Sequence, residues 1–120
     1  MPLILALAVA KKEAMPGVNN HLAYYDVDQA VAHLTVQAGA LGLVVHQMGG
    51  FDVPRARELF EIPEGYDPLT VIAIGYQGKL DDLPDVLRER ETETRTRNPL
   101  MDFVFEQRWN EPLALEAKTW

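Results

Sequence analysis

The sequence predicts a single domain, residues 1–120, that mixes β-strands with α-helices. Two stretches, 3–10 and 69–76, are apolar on both faces of an extended chain, which is typical of strands inside a sheet. Between them, residues 26–41 carry apolar side chains at helical spacings. The chain has 120 residues, of which 48% are hydrophobic. It is therefore long enough and apolar enough to bury a core.

The first strand, residues 3–10 (LILALAVA), could be mistaken for a secretory signal, but its flanks argue against one. A signal carries positive charge before its apolar stretch, whereas Lys11 and Lys12 follow this one. The run is also much shorter than the roughly 20 residues that a membrane span needs. We therefore expect a central strand that is buried on both faces.

A loop and a long helix are predicted next. Residues 11–25 contain turn formers such as Pro16-Gly17 and therefore predict a loop. The helical period starts near Asp26, which would cap the helix, with Asp28 as the alternative cap, and Gly42 would end it. A second apolar row predicts that this helix is buried around most of its circumference. That row consists of Ala32, Val36 and Ala40.

A short strand at 43–45 leads through His46, Gln47 and Met48 into two adjacent glycines, Gly49 and Gly50. Because glycine has no Cβ, this pair would let the backbone approach another molecule closely. This junction of a strand with two glycines is the first candidate functional site.

The remaining elements follow from local signals. Asp52 is expected to cap a helix that runs to about Phe60, and residues 69–76 form the second apolar strand. Residues 83–92 predict a charged helix with Asp85 and Glu89 on its outside. The segment beyond Pro99 is apolar enough that it must pack against something.

Composition and charge exclude several classes of function. The chain has no Cys and no Ser, which excludes disulfides, thiol catalysis and a Ser-His-Asp site. Its three histidines, His21, His33 and His46, lack metal-ligand spacing. The net charge of -7 makes nucleic acid and anionic membrane poor partners. If the chain is an enzyme, a cofactor must supply the chemistry.

Arg95 and Arg97 form the second candidate site. Two guanidinium groups one residue apart could grip a phosphate group bidentately. The alternative is a solvent-exposed basic patch whose positive charge balances that of neighbouring carboxylates, namely Glu89, Glu91 and Glu93.

Four stretches taken together resemble the C-terminal part of the FMN-dependent nitroreductase family. They are NHLAYYD at 20–26, LTVQAGALGLVVHQMGGFD at 34–52, PLTVIAIGYQG at 68–78 and RTRNPLMDFVF at 95–105. The resemblance runs from the first strand to Trp109. It implies an α+β fold with a mainly antiparallel central sheet flanked by helices, assembled as a cytoplasmic homodimer with FMN in the subunit interface.

The resemblance also implies an activity, that of a flavoprotein oxidoreductase. NADH or NADPH would reduce FMN, which would then reduce a nitroaromatic or quinone-like acceptor, and no side chain need act as acid or base. Gln47, Met48, Gly49 and Gly50 match the family loop along the flavin edge, where the Gly49 N–H would bond flavin N5. Arg95 and Arg97 match the basic pair that contacts the FMN phosphate. Residues 99–109 resemble the segment that wraps over the partner subunit.

One departure from the family opens a second interpretation. Family members begin with a phosphate-binding segment and with helices that form the dimer interface, and neither precedes Met1 in this sequence. The chain could therefore be a non-catalytic, truncated nitroreductase-like protein that acts as a structural or partner-binding subunit. A third interpretation is a module that binds another phosphorylated ligand at Arg95 and Arg97.

Overall fold

The computed structural model describes residues 4–112, which form two compact units, one ending at Gly78 and the other beginning at Lys79. Each unit is described by itself, and a single domain over 1–120 stays a prediction. The first unit holds β1 (Ile4–Lys11), β2 (Glu13–Met15), β3 (Val18–Asn19), α1 (Ala23–Ala40), β4 (Val44–Met48), α2 (Val53–Leu59) and β5 (Tyr66–Gly75). The second holds α3 (Asp85–Thr92) between two short 3₁₀ turns, Leu80–Asp82 and Leu100–Asp102.

The main sheet has the order β1-β5-β4, and both of its strand pairs are antiparallel. The α+β class with an antiparallel sheet is thereby confirmed. The prediction that the first strand is central is wrong, because β5 occupies the centre and β1 lies at an edge. In β1 only Ala10 is buried, whereas Leu5 is 63% exposed. Apolar composition on both faces does not distinguish an edge strand from a central one, since the position is set by pairing with distant residues.

Helix α1 packs on one face of this sheet. The buried core consists of Val31 and Ala38 from the helix and of Ile72 and Ile74 from β5. Around it lie half-buried apolar side chains, namely Ala6, Ala8, Val27, Leu34, Leu43 and Val45. Burial of these side chains from water stabilises the two layers.

The ends of α1 agree only in part with the prediction. The helix begins at Ala23, and Asp26 lies in its first turn instead of capping it. The Oδ1 atom of Asn20 accepts the Leu22 N–H at 3.2 Å just before the helix. At the other end, Gly42 has a φ of 74°, a left-handed conformation that glycine adopts readily, so the predicted stop is confirmed.

The outer row of α1 is exposed, so the prediction of a helix buried all round is wrong. Ala32, Val36 and Ala40 all face outward, and Val36 is 73% exposed. Within the first unit, as far as residues 4–78 describe it, the sheet is the layer against which the helix packs. These three apolar side chains are therefore exposed on the outward face, beside the polar Gln29 and His33.

Residues 11–25 are more ordered than the predicted loop. Strands β2 and β3 pair as a small antiparallel hairpin with Pro16 and Gly17 at its turn. Gly17 has a φ of 76°, which explains the glycine at this position. The turn signal was interpreted correctly, but the flanking strands of two and three residues are too short to show a period.

Strand β4 and helix α2 flank the Gly-Gly junction. Strand β4 is longer than predicted and includes His46, Gln47 and Met48. The predicted cap of α2 is confirmed, because the Asp52 Oδ1 accepts the Arg55 N–H at 2.9 Å.

In the second unit, the predicted charged helix is confirmed as α3, with Asp85 and Glu89 exposed. Beyond Pro99, Phe105 pairs with Pro112 in an isolated bridge, and the rings of Phe105 and Trp109 lie 5.0 Å apart. Trp109 remains 82% exposed. Leu113 and Leu115, also part of the apolar tail, lie outside the described residues. Within residues 4–112, the helices are all too short or too polar to cross a bilayer.

Candidate functional site

The first candidate site lies where edge strand β4 ends. Gln47 and Met48 are its last two residues, and Gly49 and Gly50 follow directly. In this strand Gln47 is exposed and Met48 is half-buried. Among the described strands β4 pairs with β5 alone, so its other edge has no strand partner within residues 4–112.

Neither glycine is required by the chain's own conformation or packing. Gly49 and Gly50 do not have positive φ values, and a Cβ on either one would meet no atom of the described residues within 4 Å. Within residues 4–112, the N–H groups of both glycines also make no hydrogen bond to the protein. Within residues 4–112, the site therefore offers two unpaired backbone donors, and open space lies where the glycine side chains would be.

Two hydroxyl groups hold the strand that leads to these glycines. The Thr70 hydroxyl of β5 donates to the Met48 carbonyl oxygen at 3.0 Å. The Gln47 side-chain amide donates to the Thr35 Oγ1 of α1 at 3.4 Å. A pocket of about 280 Å³ lies beside Gln47, and it is lined by Val27, Asp28, Val31, Ala32, Gln47, Leu69 and Thr70. The end of β4 is thus tied to both α1 and β5.

Arg95 and Arg97 lie in the second unit, in a segment without regular structure that follows α3. Both are exposed, and the Arg97 Nη1 donates to the Thr96 carbonyl at 2.7 Å. Neither arginine forms an ion pair with a carboxylate of residues 4–112. The neighbouring glutamates thus do not contact them, and the remaining guanidinium N–H groups could bind an anion.

Sequence reasoning missed a polar cluster in the first unit. The carboxylate of Asp67 pairs with Lys12 Nζ at 3.0 Å and with Arg57 Nη2 at 3.5 Å, and it accepts the Tyr24 hydroxyl at 2.9 Å. Hydrogen bonds from Lys12 and Tyr24 lower the pKa of Asp67. The hydrogen bond to Asp67 raises the pKa of Tyr24. No local signal could have found this cluster, because Tyr24 and Asp67 are 43 residues apart.

This cluster borders a pocket of about 370 Å³ near the start of α1, which is also lined by Asn19, Asn20 and His21. Its charged groups are already paired with one another, so it ties the start of α1 to the start of β5. Among residues 4–112, no three His, Asp or Glu side chains gather in a way that could hold a metal ion.

Comparisons with known proteins agree with this architecture. No family model matches the sequence. A Mycolicibacterium smegmatis protein described as an uncharacterized 15.4 kDa protein in the ask 5′ region is 38% identical over 88 residues, which are 73% of this chain and 59% of that protein. A solved structure described as an oxidoreductase containing FMN is 31% identical, with a TM-score of 0.82 over 89% of this chain and 56% of its own.

A nitroreductase family protein from Clostridium difficile 630 covers 90% of this chain with a TM-score of 0.66, at 24% identity. This chain has a nitroreductase-like fold. A nitroreductase family protein from Streptococcus pneumoniae TIGR4, 17% identical, shares the fold over 73% of the chain with a TM-score of 0.51.

The nitroreductase-like chain spans only about half the length of the solved structures it matches, namely 56%, 61% and 41% of them. The resemblance of the sequence to part of an FMN-dependent nitroreductase is thereby confirmed. The roles of Gln47, Met48, Gly49, Gly50, Arg95 and Arg97 toward a cofactor stay predictions.

Proposed function

We propose that this nitroreductase-like chain is a flavin-dependent oxidoreductase with FMN as its cofactor. The observation that carries the proposal is the Gly49-Gly50 pair, which has unpaired N–H groups and enough open space that a Cβ on either residue would lie more than 4 Å from any atom of residues 4–112. A structural neighbour at 31% identity is described as an oxidoreductase containing FMN. The fold is that of flavin oxidoreductases, and the cofactor and reaction are proposed for this chain.

Under this proposal, each of the two candidate sites would contact FMN. The Gly49 N–H would donate to flavin N5, and the missing side chain of Gly50 would allow the ring to approach the backbone. Arg95 and Arg97, both free of carboxylate partners within residues 4–112, would bind the phosphate. Gln47 and Met48 would line the flavin edge.

Bound FMN would supply the redox chemistry, in which NADH or NADPH reduces it and it then reduces a nitroaromatic or quinone-like acceptor. The protein's own contribution would be binding and orientation, since none of the proposed site residues is a general acid or base. We also propose that the protein is located in the cytoplasm.

A direct test is the affinity for FMN, measured by quenching of flavin fluorescence on titration into the protein. The double variant Arg95→Ala/Arg97→Ala is expected to weaken binding about 100-fold, because each charge-assisted hydrogen bond to the phosphate would contribute roughly 1.4 kcal/mol. An unchanged dissociation constant would refute the phosphate role.

The matched control is Arg55→Ala/Arg108→Ala, which changes the net charge by the same amount, from -7 to -9. Arg55 and Arg108 form exposed pairs with Glu58 and Glu111, and such pairs contribute little to stability. Equal weakening in the test and control variants would point to a general charge effect instead of a phosphate site.

The proposal includes a homodimer, and the exposed apolar row of α1 supports a partner on that face. Val36 is 73% exposed, and Leu41 at the end of the helix is 65% exposed. Val36→Asp is expected to shift the molecular mass measured by analytical ultracentrifugation from dimer to monomer, because a carboxylate would be buried without a partner. Gln77→Asp, which adds the same charge at an exposed position outside α1, is the control.

The second candidate function, a non-catalytic structural or partner-binding subunit, is favoured by the same exposed row. It differs from the first in one observable. A colourless dimer that does not quench flavin fluorescence would support it, whereas stoichiometric FMN would contradict it.

A further inference from the structure

The Thr70 hydroxyl makes a hydrogen bond at the last residue of β4 that pairs with β5. The last register pair between β4 and β5 is Met48 with Val71, so Gly49 and Thr70 lie just past the end of the ladder. The Thr70 Oγ1 donates to the Met48 carbonyl at 3.0 Å, and this carbonyl is nearer than the other acceptor, that of Val71 at 3.3 Å. A side chain thus adds a hydrogen bond to the last paired residue of the strand.

The peptide group of that Met48 carbonyl contains the Gly49 N–H. The Met48 carbonyl and the Gly49 N–H belong to one planar unit, and a trans peptide points them in opposite directions. When Thr70 holds the carbonyl on the β5 side, the Gly49 N–H points away from β5, toward the open edge of β4. Gly49 has no side chain to restrict this peptide by itself, so the hydroxyl adds to the pairing of Met48 with Val71 in limiting its rotation.

We propose that Thr70 is a positioning residue for the Gly49 amide: its hydroxyl sets the direction in which this donor faces a ligand. The inference rests on the proposed function, in which that amide bonds flavin N5. Thr70 acts through the Met48 peptide and does not itself touch the flavin. The half-buried side chain of Thr70 makes this bond less accessible to competing water.

The test begins without any flavin. The variant Thr70→Val removes the hydroxyl but keeps a β-branched side chain of nearly the same shape, so β5 should retain its structure. The ¹⁵N relaxation order parameter of Gly49 is expected to fall from about 0.85, typical of rigid backbone, to below about 0.6. Thr70→Ser, which restores a hydroxyl, should return it to the wild-type value.

The control is Thr92→Val in α3, where the hydroxyl that is removed also donates to backbone carbonyls but lies in the other unit. It should leave the Gly49 order parameter unchanged. An order parameter at Gly49 that does not respond to Thr70→Val would overturn the proposal.

The second measurement is FMN affinity in the same variants. Thr70→Val is expected to weaken binding about tenfold and Thr70→Ser to restore it, which corresponds to roughly 1.4 kcal/mol. A drop in the order parameter with unchanged FMN affinity would overturn the link to the cofactor. If the wild-type protein binds no FMN but Thr70→Val still lowers the Gly49 order parameter, the effect of the hydroxyl on the peptide would be supported. The proposed flavin function would then be refuted.

Discussion

Alanine substitutions at Gly49 and Gly42 are expected to change stability in opposite directions. At Gly49 a Cβ would meet no atom of residues 4–112 within 4 Å, and the backbone is not in the left-handed region. Alanine restricts the unfolded chain more than glycine does, so Gly49→Ala should raise the free energy of unfolding by about 0.4–1 kcal/mol.

At Gly42 the space is equally open, but the φ of 74° opposes an L side chain. Gly42→Ala should therefore lower the free energy of unfolding by roughly 1–2 kcal/mol. The two variants should differ by about 2 kcal/mol, although each adds one methyl group.

Urea unfolding measures this difference. With a slope of about 2 kcal/mol per molar urea, the midpoints of the two variants should be separated by about 1 M. A loss of stability in Gly49→Ala equal to that in Gly42→Ala would show that Gly49 is a structural residue and would remove the main argument for a ligand at that position.

The same variants separate stability from function. Gly49→Ala should weaken FMN binding about tenfold, because the added methyl group would hold the ring away from the amide and weaken a hydrogen bond of roughly 1–1.5 kcal/mol. Gly42→Ala, at the end of α1, should bind FMN with wild-type affinity as long as it is folded.

Three further predictions concern the scaffold. Asp52→Ala should cost about 0.5–2 kcal/mol in urea unfolding, because the Arg55 N–H loses its acceptor, and Asn at the same position should restore most of the loss. Since the pKa of Asp67 is lowered in the folded state, its contribution to stability is present above about pH 4 and disappears as the pH falls through the folded value. Asp67→Asn should therefore show a smaller loss of stability on acidification below about pH 4, and an unchanged acid slope would contradict this. Ile72→Ala should cost about 2–5 kcal/mol, because Ile72 is 2% exposed at the centre of the core, whereas Val36→Ala on the exposed face of α1 should cost much less.

The sequence signal for the junction at Gly49 and Gly50 is local. A β-branched run followed by two glycines marks the end of β4, and the structure leaves those glycine amides unpaired within residues 4–112. The contribution of Thr70 could not be found in the same way. Thr70 lies 22 residues from Met48, and only the register of β4 against β5 brings the hydroxyl to that carbonyl.

The sequence by itself determined the features that depend on neighbouring residues. The end of α1 at Gly42 and the cap of α2 at Asp52 follow from steric limits on φ and from hydrogen bonds within a few residues. The apolar run of β5 likewise marks it as a strand. Each of these signals lies within a short stretch of the chain, so it can be recognised without knowledge of the fold.

Only the tertiary structure decided the features that join distant segments. It placed β5 instead of β1 at the centre of the sheet, and it left the Val36 face of α1 uncovered. It also brought Tyr24 to Asp67 and Thr70 to Met48. Strand order and burial are set by which elements pack together. Apolar periodicity indicates that a face can be buried, but it does not indicate which element covers that face.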